Sequence, residues 1–215
     1  MGRVWDRREL ETIGDICLKH GVKVVSDEVH EDFVYEGHKH TPFVNVKPEY
    51  KDITVMCTSP SKTFNLAGLQ ISNLIVPNKE LRTVLTKEIR KTGYDEPNIM
   101  GITACQAAYT YGEEWLEELK DYLAGNLNFI KEYLRDNLPK VKLIEPEGTY
   151  LIWLDFSECG LTDQEINDKM LYEAGLWLDK GTMFGEEGEF FQRINIATPR
   201  KIIKEALDKM RETFA

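Results

Sequence analysis

Lys62 stands in the run Thr58-Ser59-Pro60-Ser61-Lys62-Thr63-Phe64-Asn65-Leu66-Ala67-Gly68, between small hydroxyl residues and a glycine. An amine in such a turn can condense with an aldehyde, and the hydroxyls and backbone N–H groups around it can hold an anion. Upstream, Asp27 ends the apolar run Val22-Lys23-Val24-Val25-Ser26. A carboxylate facing a heterocyclic nitrogen keeps that nitrogen protonated. Lys62 and Asp27 so placed suit pyridoxal 5'-phosphate. The lysine holds the aldehyde as an imine, and the aspartate keeps the ring an electron sink for chemistry at an amino acid's α-carbon.

The elements around these residues must bring them together. Asp6 with Glu9 forms a capping box for a first helix, Leu10, Ile13, Ile16 and Cys17 recur at helical spacing, and Gly21 ends it. Residues 22–26 read as a buried strand that delivers Asp27 and Glu28. Residues 52–57 read as a second strand that delivers Ser59 to Lys62, and 71–76 as a third, closed by Pro77. Strand, connection, strand is the pattern of an α/β sheet, whose ligands collect beyond the carboxyl ends of the strands. Both Asp27 and Lys62 fall there.

Residues 79–91 and 101–111 carry helical patterns, and 114–138 a long amphipathic stripe that reads as core and as a bridge. Past Pro139 come strands at 141–143 and 150–155, a helix at 162–174 capped by Thr162 with Glu165, a strand at 191–197 and a closing helix at 201–214. The expected fold class is α/β. Residues 1–112 form the latter part of a large cofactor-binding domain with a mostly parallel sheet, 113–138 a long bridging helix, and 139–215 a smaller C-terminal α/β domain.

Composition narrows the function. The chain has 215 residues, 42% hydrophobic and 30% charged, with a formal net charge of -10. Its calculated isoelectric point is about 5.0. That sign of field repels phosphate backbones, so no nucleic-acid partner is expected. No apolar stretch reaches the length of a membrane span, and the first residues show no apolar signal region. Cys17, Cys57, Cys105 and Cys159 are far apart in apolar contexts and read as reduced, buried thiols. A cytoplasmic protein with no membrane contact is expected. His38 and His40 are two apart and on a strand would share a face, but no third ligand lies nearby in sequence, so no metal is expected. Trp153 and Trp177 read as core, and Glu186-Glu187-Gly188-Glu189 as a solvated turn.

Ser26-Asp27-Glu28-Val29-His30, the lysine run, and Arg193-Ile194-Asn195-Ile196-Ala197-Thr198-Pro199-Arg200 stand in order. Together they resemble fold-type I pyridoxal-phosphate enzymes, the aspartate aminotransferase superfamily. Glu147-Gly148-Thr149-Tyr150-Leu151-Ile152-Trp153-Leu154-Asp155 resembles the cystathionine β-lyase-like, C–S lyase subgroup. The resemblance runs from Gly2 to the C-terminus and covers the C-terminal half of family members. Their N-terminal half supplies a glycine-rich phosphate turn, a ring that stacks on the pyridine and an asparagine beside the cofactor oxygen.

The resemblance implies roles. Lys62 binds the cofactor aldehyde and then serves as general base, and Asp27 pairs with the ring nitrogen. Ser59 and Ser61 donate to the phosphate, with a turn residue the equal alternative for Ser61. His30 stands where many relatives carry a tyrosine against the ring hydroxyl, with a structural histidine the equal alternative. Arg193 clamps the substrate α-carboxylate through a two-bond fork. Arg200 reads as a surface or helix-start residue. Many aminotransferases of this fold place a phosphate-binding arginine where this chain has Gln70, and the lyase-like subgroup tolerates its loss. The implied activity is α,β-elimination on a sulfur amino acid, with an aminotransferase as the alternative. An inactive remnant or interaction module is the reading of another class. A retained sheet edge invites pairing, so the expected partner is a second copy in a homodimer, or the N-terminal half.

Overall fold

The computed structural model describes residues 2–94 and 96–215. The chain divides into two compact units, 4–118 and 119–215, the second joined by Gly2 and Arg3.

The first unit opens with α1, Arg7–His20. Asp6 accepts from the Glu9 N–H and Glu9 returns a bond to the Asp6 N–H, the reciprocal cap read from the sequence. Gly21 closes the helix at φ 65°, a conformation that glycine adopts without a Cβ clash. Strand β1, Val24–Asp27, runs parallel to β2, Thr54–Thr58. A single turn, α2 (Pro60–Thr63), follows β2. Then come β3 (Asn73–Ile75), α3 (Lys79–Lys91) and α4 (Ile99–Tyr111). The sheet order is β1-β2-β3, and β3 pairs with β2 antiparallel. The expectation of a mostly parallel sheet thus meets one parallel and one antiparallel pairing among the described residues of this unit. Central β2 is the most buried strand of this sheet, with Val55 and Met56 in the core and the threonines at its ends also buried.

The core under this sheet is built on Phe43, Val46 and Tyr50, with Leu10, Leu18 and Val24 packed against it. The Phe43 and Tyr50 rings stack at 5.1 Å and 13°. The buried Tyr50 hydroxyl lies 2.8 Å from both the Glu11 carbonyl and the Asp15 carboxylate, so its polar end is satisfied. Gly14 makes room for the ring: a Cβ there would stand 2.2 Å from Tyr50 Cζ.

Helix α5, Glu113–Asn137, supplies the buried face of the second unit through Leu123, Leu127, Ile130 and Leu134. Strands β4 (Lys142–Ile144) and β5 (Leu151–Asp155) follow, then α6 (Asp163–Asp168). The helix expected over 162–174 begins at the Thr162–Glu165 capping box but turns into a π-helical stretch at Lys169–Glu173. Strands β6 (Asp179–Lys180) and β7 (Phe191–Asn195) and helix α7 (Arg200–Phe214) complete the unit. All pairings are antiparallel, in the order β4-β5-β7-β6. Buried Asn126 of α5 donates to the Ile196 and Thr198 carbonyls and accepts from Arg200, which places Arg200 at the start of α7.

Two readings are corrected by burial. Trp153 is core, but Trp177 is 91% exposed, because it lies in the loop before β6 and on no buried face. The four cysteines are free and only half-buried.

Candidate active site

Strand register explains how Asp27 and Lys62 come together. Asp27 pairs with Cys57 across parallel strands, and neighbouring strands lie about 4.8 Å apart. Each chain leaves the sheet at the same end, one with Asp27-Glu28 and the other with Thr58-Ser59. Pro60, at the first position of α2, starts a helical turn whose Ser61 and Lys62 line the same cleft as Asp27.

The result is an open cleft of about 650 Å³ within the first unit. Asp27, His30, Ser59, Ser61 and Lys62, each expected at a cofactor, all line it. Gln70, Ile71 and Ser72 form another part of its wall. Ser72 is a hydroxyl that the sequence reading missed. It has no motif of its own and enters only because the chain turns back through Gln70, which sits at φ 51° in the left-handed region. Asn98 fixes that turn by donating to the Leu69 carbonyl at 2.6 Å while capping α4. Tyr94 donates to the Gln70 carboxamide oxygen at 3.0 Å.

The polar groups of the cleft differ in their commitments. Asp27 accepts a bond from the Val29 N–H through one oxygen at 3.3 Å. The Ser59 hydroxyl is buried; it donates to the Ile71 carbonyl at 2.6 Å and accepts from the Ser61 N–H. Ser59 therefore shapes the turn first, and its proton reaches an anion only by rotating. Ser61 and Lys62 open to the cleft on the turn that Ser59 caps.

Behind the cleft the loop after β1 is held by side chains. Glu28, 5% exposed, accepts from Ser26, His40 and the Phe43 N–H at 2.8, 2.8 and 3.0 Å. Burial pushes its carboxyl up, but these bonds outweigh burial and hold it below its ordinary value. The Glu28 bond raises the His40 imidazole against the opposing effect of burial. Glu31 is pushed up by its own burial and then by the Asp32 charge. The ligand atoms of Glu28, Glu31 and His40 lie within 4.8 Å of one another. His40 thus joins these two glutamates rather than His38, contacts that sequence spacing did not reveal.

Arg193 lies in the second unit, on β7. Its Nε and Nη2 donate to one Asp179 oxygen at 3.1 and 2.6 Å. The Phe184 ring lies under the guanidinium at 4.5 Å. This is the partner that a charge in an alternating apolar strand demands, and it engages Nε and Nη2.

These residues fit pyridoxal phosphate. An amine, a carboxylate at the end of the neighbouring strand, and hydroxyls on a capped turn surround one cleft of suitable size. Residues 1–210 match the family described as Aminotransferase class I and II. This chain belongs to that family. Cystathionine beta-lyase PatB of Bacillus subtilis (strain 168) is 42% identical over 214 residues, covering 100% of this chain and 55% of the relative. Cystalysin of Treponema denticola, whose crystal structure contains a pyridoxal 5'-phosphate cofactor, aligns with a TM-score of 0.95 at 35% identity. That alignment covers 99% of this chain and 54% of cystalysin. The PLP-bound C-S lyase of Staphylococcus hominis aligns at 0.90 and 34%, covering 100% and 54%. The family member described here spans about half the length of these relatives. No helix among the described residues is long and apolar enough to cross a membrane.

Proposed function

We propose that this chain carries the lysine-bearing half of a pyridoxal-phosphate-dependent C–S β-lyase acting on sulfur amino acids. The shared cleft of Lys62 and Asp27 is the observation that carries the reading. When bound, the cofactor supplies the electron sink that makes an amino acid's α-proton removable. Lys62 would hold the cofactor aldehyde until the substrate amine displaces it, and its freed Nζ would then take the α-proton. Asp27 keeps a proton on the ring nitrogen. Ser61, and Ser59 after rotation, donate to the phosphate, and His30 lies on the wall where the ring hydroxyl is expected. Arg193 takes the substrate carboxylate on the guanidinium edge that Asp179 does not use. The electron pair left at Cα then expels a thiolate from Cβ, and the aminoacrylate released hydrolyses to pyruvate and ammonia.

Gln70 supports elimination over transamination. A neutral amide, already engaged by Tyr94, replaces the charged phosphate ligand that the resemblance to aminotransferases would call for. The aminotransferase reading shares every step up to proton removal, and the family description supports it. Incubating the full-length enzyme with cystathionine and no keto acid separates the two. Release of thiol and pyruvate fits the lyase, whereas turnover that begins only on adding a keto acid contradicts it.

The proposed setting is a cytoplasmic homodimer or a pairing with an N-terminal half. Residues 1–112 would be part of the cofactor domain, 113–138 a bridging helix and 139–215 a small domain. The acidic composition and four free cysteines support the compartment.

A further inference from the structure

The two segments that carry Asp27 and Lys62 leave the sheet side by side and must be kept in step for the two side chains to share a cleft. Backbone pairing between them ends where the Glu28 N–H donates to the Cys57 carbonyl. Beyond that point α2 is a single turn of four residues, too short to fix its own direction. Asn65, just past it, stands at φ 55°, a left-handed turn conformation that asparagine tolerates, so the chain reverses direction there. A side-chain bond ties the segments again: the Thr63 hydroxyl donates to the Asp32 carboxylate at 2.6 Å. Thr63 is 1% exposed and directly follows Lys62. Asp32 lies five residues past Asp27, on the loop that Glu28 and His40 secure.

We propose that Asp32, acting through Thr63, is a positioning residue that fixes where Lys62 stands relative to Asp27. The inference rests on the reading of Lys62 as the cofactor lysine. A short bond from a buried hydroxyl to a carboxylate is of the stronger kind. Its loss leaves the Lys62 turn anchored through Ser59 to the Ile71 carbonyl and through the Phe64 ring, but no longer tied by Thr63 to the segment that carries Asp27. The amine then meets the aldehyde less often in the bonding geometry, while Lys62 itself is intact.

The test is titration of the purified chain with pyridoxal phosphate, following the long-wavelength absorption of the lysine-bound cofactor and the pH at which that absorption is half-developed. Wild type, Lys62→Ala, Thr63→Val, Thr63→Ser and Asp32→Ala are compared, with near-ultraviolet circular dichroism as the check on folding. Thr63→Val and Asp32→Ala are expected to weaken cofactor affinity about tenfold and to shift the pH midpoint, and Thr63→Ser to restore both. A loss that came only from a disturbed core would not be restored by serine, which lacks the methyl group. If Thr63→Val does not fold, Asp32→Ala decides. Wild-type affinity and midpoint in these variants, with the absorption lost in Lys62→Ala, overturn the inference and leave the cofactor reading standing. No Lys62-dependent absorption in wild type overturns both.

Discussion

At the scale of single residues, chemistry was legible where a side chain's role follows from its place at a strand end. Asp27 and Lys62 each follow an apolar run, and parallel strands in register deliver such residues to one cleft. What sequence could not supply was each residue's partner. Arg193 called for a counter-charge, but Asp179 is fourteen residues away and comes beside it only through β6–β7 pairing. Exchange of Arg193 for lysine keeps the charge and loses the fork. In the full-length enzyme, Arg193→Lys is expected to raise the substrate KM about tenfold with a smaller change in kcat, checked by steady-state kinetics; an unchanged KM would remove Arg193 from carboxylate binding. Gly14 is a second residue whose need was hidden, because nothing in α1 announces the Tyr50 ring against it. Gly14→Ala should cost about 2 kcal/mol or more through overpacking, read from the denaturant midpoint, despite alanine's better helix propensity.

At the scale of elements, helical periodicity located α1, α3, α5 and α7 to within a few residues, since their apolar spacing reflects one buried face each. The antiparallel sense of β3 was not legible, because a strand of three residues carries no record of its partner's direction. The short helical turns at Phe43–Asn45 and Pro48–Asp52 were missed for a similar reason: they are set by local turn chemistry and by the Phe43–Tyr50 stack. The loop from Glu28 to Phe43 has a pH dependence that follows from its ion pair. His40 is raised from its ordinary 6.5, so its contribution to stability is whole below that pH and is lost as pH climbs through the raised folded value. Glu28 is lowered from its ordinary 4.5, so its contribution is whole above that pH and is lost as pH falls through the lowered folded value. Glu31, raised by burial and Asp32, favours the low-pH side as His40 does. The stability advantage of wild type over His40→Gln should therefore narrow as pH rises from mildly acidic to alkaline, measured by urea unfolding; an advantage that widens would contradict the pairing.

At the scale of the whole molecule, the exposed apolar surface is the informative feature. Helix α4 is apolar on nearly every side, yet Gly101 is its one buried residue. Ile99 and Tyr111 at its ends are 77% and 83% exposed. A helix of that kind belongs in an interior. Strand β1 at the sheet edge exposes Val25, and an unpaired edge recruits another chain. The sequence reading reached this surface from the edge alone; the all-round apolar character of α4 passed as an ordinary helical pattern because burial cannot be read from periodicity that is absent. The chain by itself is expected to self-associate at micromolar concentration, with Ile102→Lys and Val25→Lys together reducing the association about tenfold or more. Sedimentation velocity checks this, and a monodisperse wild-type monomer would count against it.

The most direct measurement is chemical trapping. The chain is equilibrated with pyridoxal phosphate, reduced with borohydride, digested and mapped by mass spectrometry. The account predicts the pyridoxyl group on Lys62, and its loss from that peptide when Asp27→Ala removes the carboxylate that holds the ring. A label spread evenly over surface lysines, or concentrated on a lysine outside the cleft, would contradict it.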